Sequence, residues 1–547
     1  MRSKLFHLPV ILCVFVSQGS TAQNGREKRQ IAENAFSAAV RTKYGYIRGR
    51  VEPTGLAVFL GIPYAAPPVG SLRWKLPAEP KPWDDTLATT AYGQSCPQPP
   101  SDNDPTSEDC LYLNIFTTRD ALNDPEAKKP VMFWIHGGGF ASGSAKGYDG
   151  RELVKKGVVV VTINYRLGPF GYLFHPALEA SEPNKGAGNY GLVDQITALK
   201  WVKQNISVFG GDPGNITVWG ESAGAFSVGA ILASPLAIGL FQKAILESGT
   251  GLLNGIQNKQ DASRYATAGA KALGIEGADT NALKALYALS AEQLVEMYTR
   301  PMRPQLQAFY IWFSPVVDGW ALPLPLDKAI EKNTWNNVPL LIGTNKHEGA
   351  YFQRVMPARD TAGYYHLLGE ESLGDKTGIL RRTYAVSDTS EIFERSQEVV
   401  GDLGFGAQAR ALARMATRKN GKAYVYYFTR TSKDSAGNPV KALHSTELPF
   451  VFGYTVERWQ PYKRINGEHP KDAFLADAIS DYWVSFARYG HPNGNISRLQ
   501  LPVWPAYEKA SNNYLEIGEQ IRPMTDLRKP QYDAIDLFLK QKGEREF

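Results

Sequence analysis

The stretch Asn215-Ile216-Thr217-Val218-Trp219-Gly220-Glu221-Ser222-Ala223-Gly224 decides how the rest of the chain reads. Residues 216–219 are β-branched or aromatic and read as a short buried strand, while Ala225 to Ala233 suits a packed helix. A strand that turns abruptly into a helix holds the side chain at the turn, here Ser222, over the C-terminal edge of a sheet. Only small residues two places on either side allow that close approach, hence Gly220 and Gly224. In a chain with 51 glycines the pattern G-x-S-x-G arises readily by accident, so its meaning depends on what other segments supply.

Outward from this turn, strands and helices alternate. Val40 to Val51 reads as an N-terminal hairpin at the edge of a mixed sheet. Ala57 to Pro63, Leu111 to Phe116, Pro130 to Ile135 and Gly157 to Asn164 read as strands, and Val158 to Val161 has the apolar run of a strand buried on both faces. In Asp194 to Val208, Ile196, Leu199, Val202 and Ile206 recur at helical spacing. Strands follow at Gln242 to Glu247 and Val338 to Gly343. The polar, helical stretch Asp261 to Gln307 reads as an insertion of the kind that walls a pocket. The expected class is α/β: a large, mostly parallel mixed sheet flanked by helices, with helical insertions over the site.

With 547 residues, 43% apolar and 21% charged, the composition is that of a globular protein with a large core. Residues 39–547 contain no low-complexity linker or repeat and are expected to form one domain. Residues 1–22 differ: Arg2 and Lys4 precede an apolar run from Leu5 to Val16, and Ser20-Thr21-Ala22 offers small residues for cleavage. They read as a secretory signal peptide, followed by a flexible polar tail at 23–38 in which Lys28-Arg29 is a dibasic pair. No later stretch suggests a membrane anchor, and the expected location is extracellular, or periplasmic in a bacterium. The net charge of +6 is scattered without a basic stripe, so a nucleic-acid partner gains no support. Oligomeric state is not legible. Cys13 lies in the signal, leaving Cys96 and Cys110 for an expected disulfide, with two free buried thiols as the alternative. Sequons at Asn205, Asn215 and Asn495 permit glycosylation in a suitable host, although Asn215 abuts the strand before Ser222.

A serine hydroxyl is a poor nucleophile until a base takes its proton. Of eight histidines, His444 follows an apolar strand (Tyr424 to Phe428) and a loop, where a sheet of this class presents its base. Glu348 follows the strand ending in Gly343 and is the candidate to hold the imidazole; taken alone, a loop glutamate is usually a solvated surface group. The order Ser222, Glu348, His444 is the one expected of an α/β-hydrolase. Directly after Ile135 comes His136-Gly137-Gly138-Gly139-Phe140. Acyl transfer creates a negative oxygen that backbone N–H groups must face unobstructed; Gly138, Gly139 and Ala223 are the candidate donors. No Cys/His cluster has ligand spacing, so neither metal nor organic cofactor is expected. Gly186-Ala187-Gly188-Asn189-Tyr190-Gly191 resembles a dinucleotide loop, but the polar stretch before it is not a strand, and it reads as a loop and helix start.

Taken together, Phe59 to Ala65, Ser107 to Asn114, His136 to Phe140, Gly220 to Gly224, Asn345 to Gly349 and His444 to Phe450 resemble the type-B carboxylesterase family of carboxylesterases, cholinesterases and some fungal lipases. The resemblance runs from about Val40 to the C-terminus. It implies the triad Ser222, Glu348 and His444, an oxyanion hole of Gly138, Gly139 and Ala223, and a first disulfide loop closed by Cys96 and Cys110. It also implies structural ion pairs Arg73–Glu108 and Arg166–Asp194, with Glu221 and Ser248 supporting the triad. The implied activity is hydrolysis of small carboxylic esters through an acyl-enzyme, failing on the acid side where His444 is protonated. Pro97 to Asp109 has no aromatic residue, which argues against a cholinesterase-type site for quaternary ammonium groups. Pro315 to Gly319, preceded by Trp312 and Phe313, resembles a segment beside the acyl pocket. The alternatives are a lipase for longer acylglycerols and a non-catalytic adhesion protein on the same fold.

Overall fold

In the run Val131-Met132-Phe133-Trp134-Ile135 successive side chains point to opposite sides of a strand, and both sides are buried. Val131, Phe133 and Ile135 join one apolar cluster, Met132 and Trp134 another. Two helical layers must therefore sandwich the sheet. A computed structural model shows that arrangement for residues 39–100, 104–181, 186–299, 313–352, 358–418, 420–433, 438–455 and 469–541. The signal and tail expected at 1–38 lie outside the described residues, as do Trp312 and the chain end from 542.

The strands are β1 (Val40–Thr42), β2 (Gly45–Arg48), β3 (Arg50–Val51), β4 (Leu56–Pro63), β5 (Leu87–Ala88), β6 (Tyr112–Thr118), β7 (Lys129–Ile135), β8 (Val159–Ile163) and β9 (Gly211–Glu221). They continue with β10 (Lys243–Glu247), β11 (Gln257–Asn258), β12 (Val316–Val317), β13 (Leu340–Asn345), β14 (Ala423–Phe428), β15 (Ser432–Lys433), β16 (Pro439–Val440), β17 (Tyr514–Ile517) and β18 (Ile521–Met524). Eleven form the main sheet in the order β18-β17-β14-β13-β10-β9-β7-β8-β6-β4-β3. From β17 to β8 every pair is parallel; β18 and the β6-β4-β3 edge run antiparallel. This is the α/β-hydrolase fold.

One face of the sheet carries the helices Tyr190–Asn205, Ala223–Ala233 and Ala407–Arg418; the other carries Asp472–Tyr489. The hairpin reading of the N-terminus needs correction. β1 and β2 do pair antiparallel, but in a separate three-stranded sheet with β5. The edge of the main sheet is β3, beside β4. Arg50 and Val51 are two residues downstream of β2, too close for periodicity to separate two sheets. The insertion begins as expected with helices Lys259–Ala272, Thr280–Ala288 and Ala291–Thr299.

Under the sheet, Trp134 and Trp219 meet at 4.6 Å between ring centroids, and Phe452 packs on both at 5.1 and 4.9 Å. Both tryptophans are fully buried. Trp219→Ala should lower unfolding free energy by about 3–5 kcal/mol in urea titrations, through lost contacts and an unfilled cavity.

Candidate active site

β9 ends at Glu221 and a helix begins at Ala223, so Ser222 stands alone between them at φ 55°, ψ −120°. That left-handed backbone is strained for a residue with a Cβ. It is held from both sides: the Ser222 N–H donates to Glu247 O at 2.9 Å, and its carbonyl accepts from Phe226 N at 2.9 Å. The glycine requirement is steric. A Cβ on Gly224 would sit 2.0 Å from Ile135 O, and one on Gly220 would sit 2.6 Å from Gly224 C. The turn thus crosses directly over the end of β7, where the glycine loop starts. A Cβ on Gly137 would lie 3.2 Å from Ser222 Cβ, so loop and serine abut.

In that loop Gly138 and Gly139 take φ 105° and 64°. The Gly138 carbonyl turns inward to accept from Ala141 N and Ser142 N. The N–H groups of Gly138, Gly139 and Ala223 donate to no other described residue. His136 props the loop: its buried ring stacks on Tyr165 at 4.5 Å, with Nδ1 2.8 Å from Gly137 O, and burial pushes its pKa down to about 4.

Glu348 is buried at the start of a short helix, Glu348–Tyr351. Its loop is stitched to the one bearing His444 by a parallel bridge between His347 and Leu443, by His347 N donating to Ala442 O at 2.9 Å, and by Asn345 Nδ2 donating to Leu443 O at 2.7 Å. His444 Nδ1 lies 2.6 Å from Glu348 Oε2. The other oxygen, Oε1, accepts from Ser248 Oγ at 2.6 Å and Asn345 N at 2.7 Å. Both carboxylate oxygens are therefore fixed. His444 Nε2 is 3.2 Å from Glu221 Oε1, the residue directly before Ser222, and that oxygen also accepts from Ser445 Oγ at 2.5 Å. Phe352 and Phe405 pack on the imidazole at 5.0 and 5.2 Å, and Tyr351 at 5.6 Å.

Sheet register explains a group of buried acids here. Glu221 and Glu247 are partners on β9 and β10, and Gly343 and Tyr426 continue the row on β13 and β14. Partners on parallel strands point to the same face. Gly343 has no side chain, and the Tyr426 ring covers it. Glu247 Oε1 accepts from Trp483 Nε1 at 2.5 Å, and Glu447 Oε2 accepts from Asn345 Nδ2. Four carboxylates in so little volume cannot all ionise. Burial pushes Glu247 well up and Glu447 up to about 8; burial also raises Glu221. For His444 burial acts downward but is outweighed by Glu221, Glu348 and Glu447, and its pKa rises to about 9.

Of the residues picked out from sequence, the fold brings Ser222, Glu221, Ser248, Glu348, His444 and the glycine loop to one place. Glu221, expected as a supporting residue, touches the imidazole directly. Ser445, Glu447, Asn345, Phe352 and Phe405 were missed. Glu447 sits in a turn just before the short helix Leu448–Val451 and left no periodic signal; Phe405 had none either, since a π-helical turn at Asp402–Gly406 carries it. Cys96 and Cys110 form a disulfide. Arg73 pairs with Glu108, and Arg166 with Asp194 through two bonds of 2.7 Å.

A model of the carboxylesterase family matches residues 37–535. The chain belongs to that family. Para-nitrobenzyl esterase of Bacillus subtilis (strain 168) is 37% identical to this carboxylesterase, covering 92% of its length and 99% of the relative's. Fumonisin B1 esterase of Sphingopyxis macrogoltabida is 36% identical over 85% and 83%. Carboxylesterase 1D of Rattus norvegicus is 34% identical over 89% of each. A solved para-nitrobenzyl esterase superposes with a TM-score of 0.78 at 36% identity, covering 91% of this chain and 99% of its own. The carboxylesterase is thus a carboxylic ester hydrolase. Replacing Gly224 by Ala would force its Cβ into Ile135 O, and should lower unfolding free energy by about 1–3 kcal/mol or more in denaturant titrations.

Proposed function

We propose that this esterase works through Ser222, His444 and Glu348, with Gly138, Gly139 and Ala223 as the oxyanion hole, all in one catalytic domain spanning 39–547. The observation that carries the reading is the 2.6 Å contact of His444 Nδ1 with a carboxylate whose second oxygen is already saturated. Such a carboxylate fixes the ring and its tautomer and stabilises the imidazolium formed when the ring takes a proton. Ser222 Oγ attacks the ester carbonyl as His444 Nε2 accepts its proton; the unengaged N–H groups receive the oxyanion. The imidazolium then protonates the leaving alcohol. Water, deprotonated by the same nitrogen, releases the acid from the acyl-enzyme.

Phe352, Phe405 and Tyr351 around the imidazole suit apolar or aromatic ester groups, and the relative named for para-nitrobenzyl esters supports small aromatic substrates. Secretion rests on the N-terminal sequence and agrees with the disulfide; N-terminal sequencing of the exported protein should begin at Gln23. Among the sequons, Asn205 is buried with its amide engaged by Lys43 N and Trp201 O, and Asn215 holds the buried Lys243. Asn495 is exposed and is the position proposed to carry any glycan.

Ser222→Ala should lower kcat for para-nitrophenyl esters by roughly 10^4–10^6-fold while the fold persists; hydrolysis at the wild-type rate would remove Ser222 from this role. Glu221 stabilises the charged, inactive form of His444, so its negative charge holds the acid limb of kcat/KM above the ordinary histidine range. In Glu221→Gln that limb should move to lower pH by about one unit. A limb that stays put or moves up would show that Glu221 does not set the charge of the base.

A further inference from the structure

Part of what shapes the glycine loop lies outside it. Gly138, Gly139 and Gly143 take φ of 105°, 64° and 109°, and Phe140 takes 59°. Glycine reaches such conformations freely and leaves them as freely, so a run rich in it keeps one shape only if neighbours impose it. Within the loop, Gly138 O accepts from Ala141 N at 3.0 Å and Ser142 N at 3.1 Å. The next residue, Gly143, packs back on the start of the loop: a Cβ there would lie 2.5 Å from His136 Nδ1 and 2.7 Å from Gly137 O. The seat of Gly143 therefore governs where Gly137 and Gly138 sit.

Gly143 is held by a side chain from another segment. Gln98 lies in the loop that the Cys96–Cys110 disulfide closes, and it pairs with Gly143 as a neighbouring strand would. Its Oε1 accepts from Gly143 N at 2.8 Å, and its Nε2 donates to Gly143 O at 3.0 Å. Nε2 also donates to Cys96 O at 3.0 Å, which fixes the plane of the amide. Both amide hydrogens and the oxygen are thus used, and reversing the amide would set its NH2 against the Gly143 N–H. Just past Gly143 the same disulfide loop grips the chain again. Lys146 Nζ lies 2.6 Å from Asp104 Oδ1, and Asp104 Oδ2 accepts from Ser95 Oγ at 2.6 Å.

We propose that Gln98 is a positioning residue for ester hydrolysis, which by clamping Gly143 sets where the Gly138 and Gly139 N–H groups point. The inference rests on reading those groups as oxyanion donors. The contacts between them are short: Gly143 meets Gly137 O, and a Cβ on Gly137 would lie 3.2 Å from Ser222 Cβ. Donors serve an oxyanion only at about 2.7–3.1 Å, and a misplacement of about 1 Å costs roughly 10^2-fold in rate. The oxyanion exists only at the tetrahedral stage, so a loosened clamp lowers kcat and leaves ester binding alone. It leaves the base alone as well. The acids that set the charge of His444 are Glu221, Glu348 and Glu447, whereas Gln98 bonds to Cys96 and Gly143.

The test compares wild type with Gln98→Met, which keeps the length of the side chain and loses its amide. Hydrolysis of para-nitrophenyl acetate is measured per site titrated with a fluorophosphonate, so that only folded molecules count. Gln98→Met should lose roughly 10–100-fold in kcat, with KM within about twofold and the acid limb of kcat/KM unmoved. Benzyl trifluoromethyl ketone adds to the serine and places an oxyanion among the donors; wild type should bind it more tightly than benzyl methyl ketone, and Gln98→Met should lose affinity for it by the same factor as kcat. Unchanged kcat and ketone affinity, a loss confined to KM, or a shifted acid limb would overturn the role of Gln98. If wild type gains nothing from the fluorines, the oxyanion-hole reading fails and the role of Gln98 falls with it. If wild type gains and Gln98→Met matches it, only the role of Gln98 fails. Should Gln98→Met give no titratable sites, Gln98→Asn, whose amide is one methylene short of Gly143, takes its place with the same expectations.

Discussion

A charge pair buried out of water governs the whole centre. His444 and Glu348 are each about 95% or more shielded from solvent, and an imidazolium–carboxylate contact at that depth survives only if every remaining lone pair is answered. Here it is: Ser248 and Asn345 take one oxygen of Glu348, His444 the other, and Glu221 faces the far ring nitrogen. The surrounding acids then adjust. Burial pushes Glu247 and Glu447 toward the neutral acid, so the group tends to carry less charge than its composition suggests. Loss of any one partner would reach the others, because they share a single dry volume.

The sheet acts as the ruler for this arrangement. Adjacent parallel strands β9 and β10 both end in Glu followed by Ser, in register, so Glu221 lies beside Glu247. Each serine hydrogen-bonds onto the next strand, Ser222 N to Glu247 O and Ser248 N to Gly343 O, both at 2.9 Å. Ser222 and Ser248 thereby gain separate tasks from one local pattern. One stands free at the turn, and the other holds Glu348.

What sequence made legible follows from this geometry. Ser222, the glycine loop and the strands around them carry local signatures, because steric limits at a tight crossing leave only glycine at 220 and 224. Glu348 and His444 stand out through order along the chain and through resemblance, and the fold brings their side chains to 2.6 Å. The acid cluster was not. Glu247 looks like an ordinary strand end, and only the β9–β10 register reveals that it shares a pocket with Glu221. The β1–β2 hairpin was assigned to the wrong sheet for a similar reason: strand propensity is local, but a partner strand such as β5 lies forty residues away and only two residues long. Phe405 depended on a π-helical turn, which leaves no periodic trace in sequence.

Backbone strain points to the same centre. Ser222, Ser248, Ser445 and Phe140 all adopt positive φ, between 51° and 67°, where residues with a Cβ are disfavoured. Each belongs to a different segment, and each touches or adjoins a group at the site: Ser445 bonds Glu221, Ser248 bonds Glu348, and Phe140 follows the glycine loop. Strain of about 1–3 kcal/mol per residue persists only where surrounding structure leaves no alternative. The packed sheet beneath supplies that rigidity, with Ile135 O and Gly224 in near contact fixing the crossing of β7 and the serine turn. A centre assembled from four strained turns is held in one geometry, so under the reading proposed above its donors and its base are oriented before an ester arrives, which is the condition under which fixed dipoles lower a barrier instead of merely binding.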